Sequence, residues 1–145
     1  MSAVDLSTHP GHLARRLQQA HSLLWGAMVS EETTSPQFAV LNALQEKPDI
    51  DQRTLSEHVH LDRSTIADLV ARLVRRDLVA RVRDPLDGRR NVLKLTAEGA
   101  RVHKRLTTRT ARMNRVFLAP LSDDEQEQLL RLIGRVAEAA EDLRV

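Results

Sequence analysis

The chain has 145 residues, a formal net charge of +2, no cysteine, no tyrosine, one tryptophan and two phenylalanines. That length suits one domain of ordinary size, and the lack of thiols excludes disulfides, thiol redox sensing and thiolate metal sites. The near-neutral total hides an uneven distribution: residues 53–105 carry 13 Lys+Arg against 7 Asp+Glu, residues 1–52 carry 3 against 6, and residues 106–145 carry 6 against 7. A basic block on a nearly neutral frame points to a polyanion met by one face. The start MSAVDLSTHP lacks the basic and apolar regions of an export signal. No apolar run approaches the roughly 18 residues of a membrane span, so a cytoplasmic protein with no membrane partner is expected.

In chain order, Pro10-Gly11 opens a helix of about 20 residues whose stripe runs through Leu13, Leu17, His21, Leu24 and Met28, with Trp25 on its edge. Ser35-Pro36 is expected to cap a second helix that ends near Lys47-Pro48. Asp51 and Asp62 are then each followed by a short amphipathic run. Ile50 and Leu61 stand one residue before them as hydrophobic staples for Leu55 and Ile66. His58-Val59-His60 is left as the turn, so the two helices must cross sharply. The second of them is expected to reach about Asp77 and to bury Ile66, Leu69, Val70, Leu73 and Val74. Val79–Arg83 and Asn91–Leu95 read as strands joined by the loop Asp84-Pro85-Leu86-Asp87-Gly88-Arg89-Arg90.

Thr96 is placed to cap a helix of about 22 residues with Val102, Leu106, Thr110, Met113 and Phe117 on one face, ended by Pro120. Ser122-Asp123-Asp124-Glu125 is a capping box for the last helix, where Leu129, Ile133, Val136, Ala140 and Leu143 recur at near-heptad spacing. The fold class that follows is mainly α with a small β-hairpin wing, a winged helix-turn-helix in a single domain spanning 1–145. Residues 35–96 form the reading head, and 1–34 with 97–145 supply long helices. Their apolar stripes have two outlets: pairing with a second copy as a homodimer, or folding back on the central block.

A second helix opening on Arg63, Ser64 and Thr65, beside a basic hairpin, is a layout that reads double-stranded DNA. Ser64 and Thr65 are placed to face base edges and phosphates, and Arg63 to reach a phosphate or a guanine. Asp68 and Arg72 follow on the same helix, Arg53 precedes it, and Arg89 and Arg90 project from the hairpin tip toward a groove. The plainer alternative makes Ser64 and Thr65 capping aids, and Arg72, Arg75 and Arg76 a solvated face. An Asp87–Arg89 pair would shape the loop in either case.

On the first helix, Arg15 could grip a carboxylate while His21 and Trp25 flank a planar ring. A pocket built from Arg15, Gln18, His21, Trp25 and Met28, with Phe38 and Asn42 of the second helix and Met113 and Asn114 of the fifth, would suit a small aromatic carboxylate. The alternative is that Trp25, Phe38 and Met113 are plain core and Arg15-Arg16 a solvated pair. The group His58-x-His60 with Glu57 lacks the further ligands of a metal site. No Gly-x-Ser-x-Gly or phosphate-binding glycine loop occurs. Neither an enzyme, nor a cofactor, nor a metal is expected.

The order of elements, with Asp87-Gly88-Arg89 followed by Leu95-Thr96-Ala97-Glu98-Gly99, resembles the MarR family of winged-helix transcriptional regulators from about Gly11 to Leu143. The resemblance implies a homodimer held by the first and last two helices. It implies a pseudo-palindromic operator, Arg63, Ser64 and Thr65 on the recognition helix, Arg89 as the wing arginine, and release by a small ligand. The segments HPGHLARRLQQAH and MVSEETTSPQFAVLNAL are similar to those of protocatechuate-responsive members. That likeness implies a repressor of aromatic-acid catabolism with Arg15 as carboxylate anchor and His21 and Trp25 lining the site. The lack of cysteine departs from the peroxide-sensing branch and favours a ligand switch. A different phenolic or lipophilic ligand, a ligand-independent architectural DNA-binding protein, and a protein-interaction module on the acidic last helix stay open as alternatives.

Overall fold

Each helix opens on a side chain that accepts a backbone N–H, which is why the boundaries follow the sequence closely. In the computed structural model, which describes residues 1–143, the elements are α1 (Pro10–Met28), α2 (Ser35–Glu46), α3 (Gln52–Val59), α4 (Arg63–Arg75), β1 (Val79–Arg83), β2 (Asn91–Leu95), α5 (Ala97–Leu118) and α6 (Asp123–Asp142). A 3-10 turn at Leu6–Thr8 precedes them. The mainly α architecture with a β-hairpin wing is as expected. Positions 144 and 145, the end of the expected segment 97–145, lie outside the described residues.

The caps at Asp51, Asp62, Thr96 and Ser122 are where the sequence puts them. The cap of α2 is not. Thr34, rather than Ser35, accepts from Gln37, and the Gln37 side chain returns to the Thr34 N–H, closing a capping box one residue earlier. The turn between α3 and α4 also shifts. His58 and Val59 still belong to α3, and the chain turns at His60, whose φ of 57° is left-handed.

The core lies beneath the helix-turn-helix. Leu41 and Leu44 of α2, Leu55 of α3, Ile66, Val70 and Leu73 of α4, and Leu106 and Met113 of α5 are fully buried. Leu69 and Val74 pack on this cluster while staying partly exposed. β1 and β2 pair antiparallel, Val79 opposite Leu95 and Arg83 opposite Asn91. The loop before α3 adds a bridge that the sequence did not announce: Ile50 pairs with Leu93, whose N–H reaches the Ile50 carbonyl at 2.8 Å. The helix-turn-helix is thereby tied to the wing.

The junction of wing and α5 explains the Leu-Thr-x-x-Gly spacing. Thr96 donates its hydroxyl to the Asp77 carbonyl at 2.6 Å and its N–H to the Leu78 carbonyl, then accepts the Gly99 N–H at 2.9 Å. A Cβ on Gly99 would run into the Leu78 carbonyl oxygen. By contrast, α6 buries none of its side chains, and Leu130, Leu132, Ile133 and Val136 are exposed on it.

Candidate DNA-reading face and ligand groove

Asp62 organises the start of α4. Its carboxylate accepts the Thr65 N–H at 2.7 Å and the Ser64 hydroxyl at 3.0 Å, with Arg63 exposed beside them. The capping role weighed for Ser64 is therefore real, Thr65 takes part only through its backbone N–H, and the Ser64 oxygen stays open to an outside donor. Arg53 and Arg63, with Gln52, line one small concavity of about 190 Å³, so the starts of α3 and α4 converge. Outward on these helices, Arg72 pairs with Asp68 at 3.3 Å and Arg53 with Glu57 at 3.5 Å. Exposed i, i+4 pairs of this kind are weak, so either arginine can exchange its partner for a phosphate.

The wing holds its shape with its own charges. Asp84 accepts the Leu86 N–H, Asp87 accepts the Arg89 N–H at 3.0 Å, and Arg83 donates to the Gly88 carbonyl at 3.1 Å. The Asp87–Arg89 contact thus runs through backbone, and the Arg89 side chain stays exposed at the tip. Arg90 is placed differently from the expectation. Its guanidinium turns back to Asp51 at 2.9 Å and Asp84 at 3.9 Å, locking the wing to the cap of α3. Hydrogen bonding from Thr54, with the Arg90 charge added, holds the Asp51 carboxyl below its ordinary range.

The nine residues expected to form the ligand pocket do not line one cavity. Met28 at the end of α1 lines a groove with Arg109 and Arg112, and Gln18 of the same helix lines two others. One, of about 370 Å³, is bounded by Ser22, Trp25 and Gly26 of α1 and by Ser30, Glu31, Thr34, Ser35 and Pro36. The other, of about 600 Å³, runs between α1 and α6 along Leu17, His21, Phe117, Ile133 and Val136. Arg15 is exposed three residues before Gln18, one helical turn away on the same face.

Behind the grooves the aromatic residues form a chain. His21 lies 6.0 Å from Trp25 and 5.7 Å from Phe117, Trp25 lies 5.6 Å from Phe38, and Phe38 stacks on His103 at 5.5 Å. Met28 packs on the core edge, Met113 is wholly buried, and Asn114, one residue on, is exposed. Consecutive helical residues diverge by about 100°, so Met113 and Asn114 cannot both face inward. Trp25 and Met113 belong to the buried core and Phe38 packs against it, as in the plain-core alternative, while an edge of Trp25 also lines the smaller groove.

The sequence reading missed three side chains. His103 bonds Asn42 at 2.9 Å, and burial pushes its imidazole pKa down. Arg109 reaches from α5 to the Val29 carbonyl at 3.0 Å. Arg76, on a solvated face in the plainer alternative, instead grips the loop before α2 and its first turn, bonding the Glu32 carbonyl, Gln37 Oε1 and Thr33 Oγ1 at 3.2, 3.3 and 2.9 Å. For His103 a signal existed, since it stands three residues before Leu106 and seven before Thr110, on the packed stripe of α5. For the two arginines none did, because their partners lie 80 and about 40 residues away in sequence.

A capped recognition helix, a wing ordered around an outward arginine, and a polar-edged groove on a long N-terminal helix define a winged-helix regulator. The comparisons agree. A MarR family model matches residues 33–90. Transcriptional regulator HosA from Escherichia coli O111:H- is 35% identical over 128 residues, covering 88% of this chain and 94% of that one. The PcaV transcriptional regulator from Streptomyces coelicolor, solved in complex with its natural ligand, is 69% identical with a TM-score of 0.92, covering 97% of this chain and 99% of that one. A mutant MarR from E. coli complexed with operator DNA is 25% identical with a TM-score of 0.82, covering 93% and 99%. The chain belongs to the MarR family of winged-helix transcriptional regulators. Among the described residues no helix is long and apolar enough to cross a membrane.

Proposed function

We propose that the chain is a homodimeric repressor of aromatic-acid catabolism genes, released from its operator by a small aromatic carboxylate such as protocatechuate. The observation that carries the reading is the pairing, in one chain, of the Arg53–Arg63 face with a groove that begins at Gln18, one helical turn from Arg15, in a protein 69% identical to a regulator solved with its natural ligand. The carboxylate is bound by Arg15, and the ring lies along α1 against Trp25, whose indole His21 backs from the neighbouring groove at 6.0 Å. Its hydroxyls turn to the polar edge formed by Ser30, Glu31 and Thr34. A volume of about 370 Å³ falls within the usual range for small-ligand sites.

Two recognition helices are needed to read half-sites about one turn apart. The exposed stripe of α1 and α6, Leu13, Leu17, Leu132, Ile133 and Val136, supplies a face on which a second copy can pack. Ligand binding favours a spacing of the two heads that no longer matches the operator, through its higher affinity for that state. A 100-fold loss of operator affinity requires about 2.7 kcal/mol of coupling. The protein works in the cytoplasm, beside its DNA, and performs no catalytic step.

The test is a titration of protocatechuate followed by Trp25 fluorescence. Removing a charged hydrogen-bonding partner costs about 1.5–3 kcal/mol, so Arg15→Ala should bind protocatechuate roughly 10- to 150-fold more weakly than wild type. Equal affinities would remove Arg15 from the site.

A further inference from the structure

We infer that Arg76 is the residue through which occupancy of the α1 groove reaches the recognition helix. The inference rests on the function proposed above and concerns its internal wiring. Arg76 is the C-terminal cap of α4, its N–H closing on the Arg72 carbonyl at 3.1 Å. Its guanidinium holds the segment that forms the polar edge of the groove, from the Glu32 carbonyl through Thr33 to Gln37. One side chain therefore joins the far end of the DNA-reading helix to the ligand groove.

The segment it grips is tightly specified. Thr33 is 1% exposed and Gln37 6%, so both are polar groups that need their partners. The Thr33 carbonyl accepts the buried Trp25 indole N–H at 2.7 Å, while the Thr33 hydroxyl takes Arg76 at 2.9 Å. Gln37 Oε1 is shared between Arg76 and the Thr34 N–H of the α2 capping box. A ring that shifts Trp25 or enters beside Ser30 and Thr34 must move Thr33, and Arg76 passes that displacement to α4. A helix of 13 residues spans about 20 Å. A small rotation at Arg76 is thus carried as a larger displacement to Arg63 and Ser64 at the other end.

A merely structural arginine would lower stability and leave the ratio of liganded to free operator affinity unchanged. A coupling residue changes that ratio, and by reciprocity changes the effect of DNA on ligand binding equally. The experiment measures operator affinity by fluorescence anisotropy with and without saturating protocatechuate, and protocatechuate affinity with and without operator, in wild type, Arg76→Gln, Arg76→Lys and Thr33→Val. In Arg76→Gln each affinity measured alone stays within about threefold of wild type, while the mutual effect falls by about tenfold or more. Arg76→Lys, a point charge without the planar fork, recovers part of it. Thr33→Val keeps the shape, removes the hydroxyl acceptor, and loses coupling in the same direction. If Arg76→Gln does not fold, Thr33→Val decides alone. Wild-type coupling in the variants overturns the role of Arg76 and leaves the proposed function standing. A wild type whose operator binding ignores protocatechuate overturns both.

Discussion

Gly99 shows how a single residue can fix the joint between wing and α5. Its spacing from Thr96 was legible in the sequence as a motif. The reason for the glycine was not, because the atom it avoids belongs to Leu78, twenty-one residues earlier in the turn before β1. Helix propensity alone would make Gly99→Ala stabilising by about 1 kcal/mol. The approach to the Leu78 carbonyl predicts the opposite sign, a loss of about 1–3 kcal/mol or more from overpacking. Denaturant unfolding of the two proteins gives the sign directly, and a more stable variant would refute the close approach. Arg90 teaches the complementary lesson. As a loop arginine it reads as a DNA contact, yet Asp51 and Asp84 draw it inward.

At the scale of elements, the caps made most boundaries readable, since the chemistry of a helix start is local. Asp51, Asp62, Thr96 and Ser122 could each be found within a four-residue window. The start of α2 slipped by one because Thr34 and Ser35 both qualify, and only Gln37, three residues after Thr34, separates them. The turn before α4 slipped because a left-handed histidine at position 60 leaves no trace of the kind a glycine would.

The cap of α3 also carries a pH signature. The Asp51 carboxyl is held below its ordinary value of 3.8 in the folded chain, so the folded state binds its proton less readily than the unfolded one. Its contribution is then complete above pH 3.8 and is lost as pH falls through the lower folded value. Asp51→Ala is predicted to cost about 0.5–2 kcal/mol near neutral pH, the usual worth of such a cap. The gap to wild type should narrow on acidification below pH 3.8. A gap that stayed constant down to the lowest pH at which both proteins fold would show that the charge of Asp51 adds nothing.

Across the whole molecule, charge and hydrophobicity divide the labour. The basic excess of residues 53–105 falls mainly on the helix-turn-helix and the wing, while the long helices at either end leave apolar stripes exposed. That division was visible in composition and periodicity. The wiring between the groove and the reading face was not, because it depends on contacts such as Arg76–Thr33 that span 43 residues. Phosphate contacts make affinity fall steeply with salt, so operator binding is best followed at one fixed ionic strength. The decisive measurement uses purified wild-type protein and a duplex that it selects from a random pool, with affinity determined against rising protocatechuate and, separately, against catechol, which lacks the carboxylate. A coupling of about 1–3 kcal/mol predicts a 5- to 150-fold loss of operator affinity with protocatechuate, and little change with catechol. Operator affinity that ignores protocatechuate, or yields equally to catechol, would contradict a switch built on a carboxylate held by Arg15.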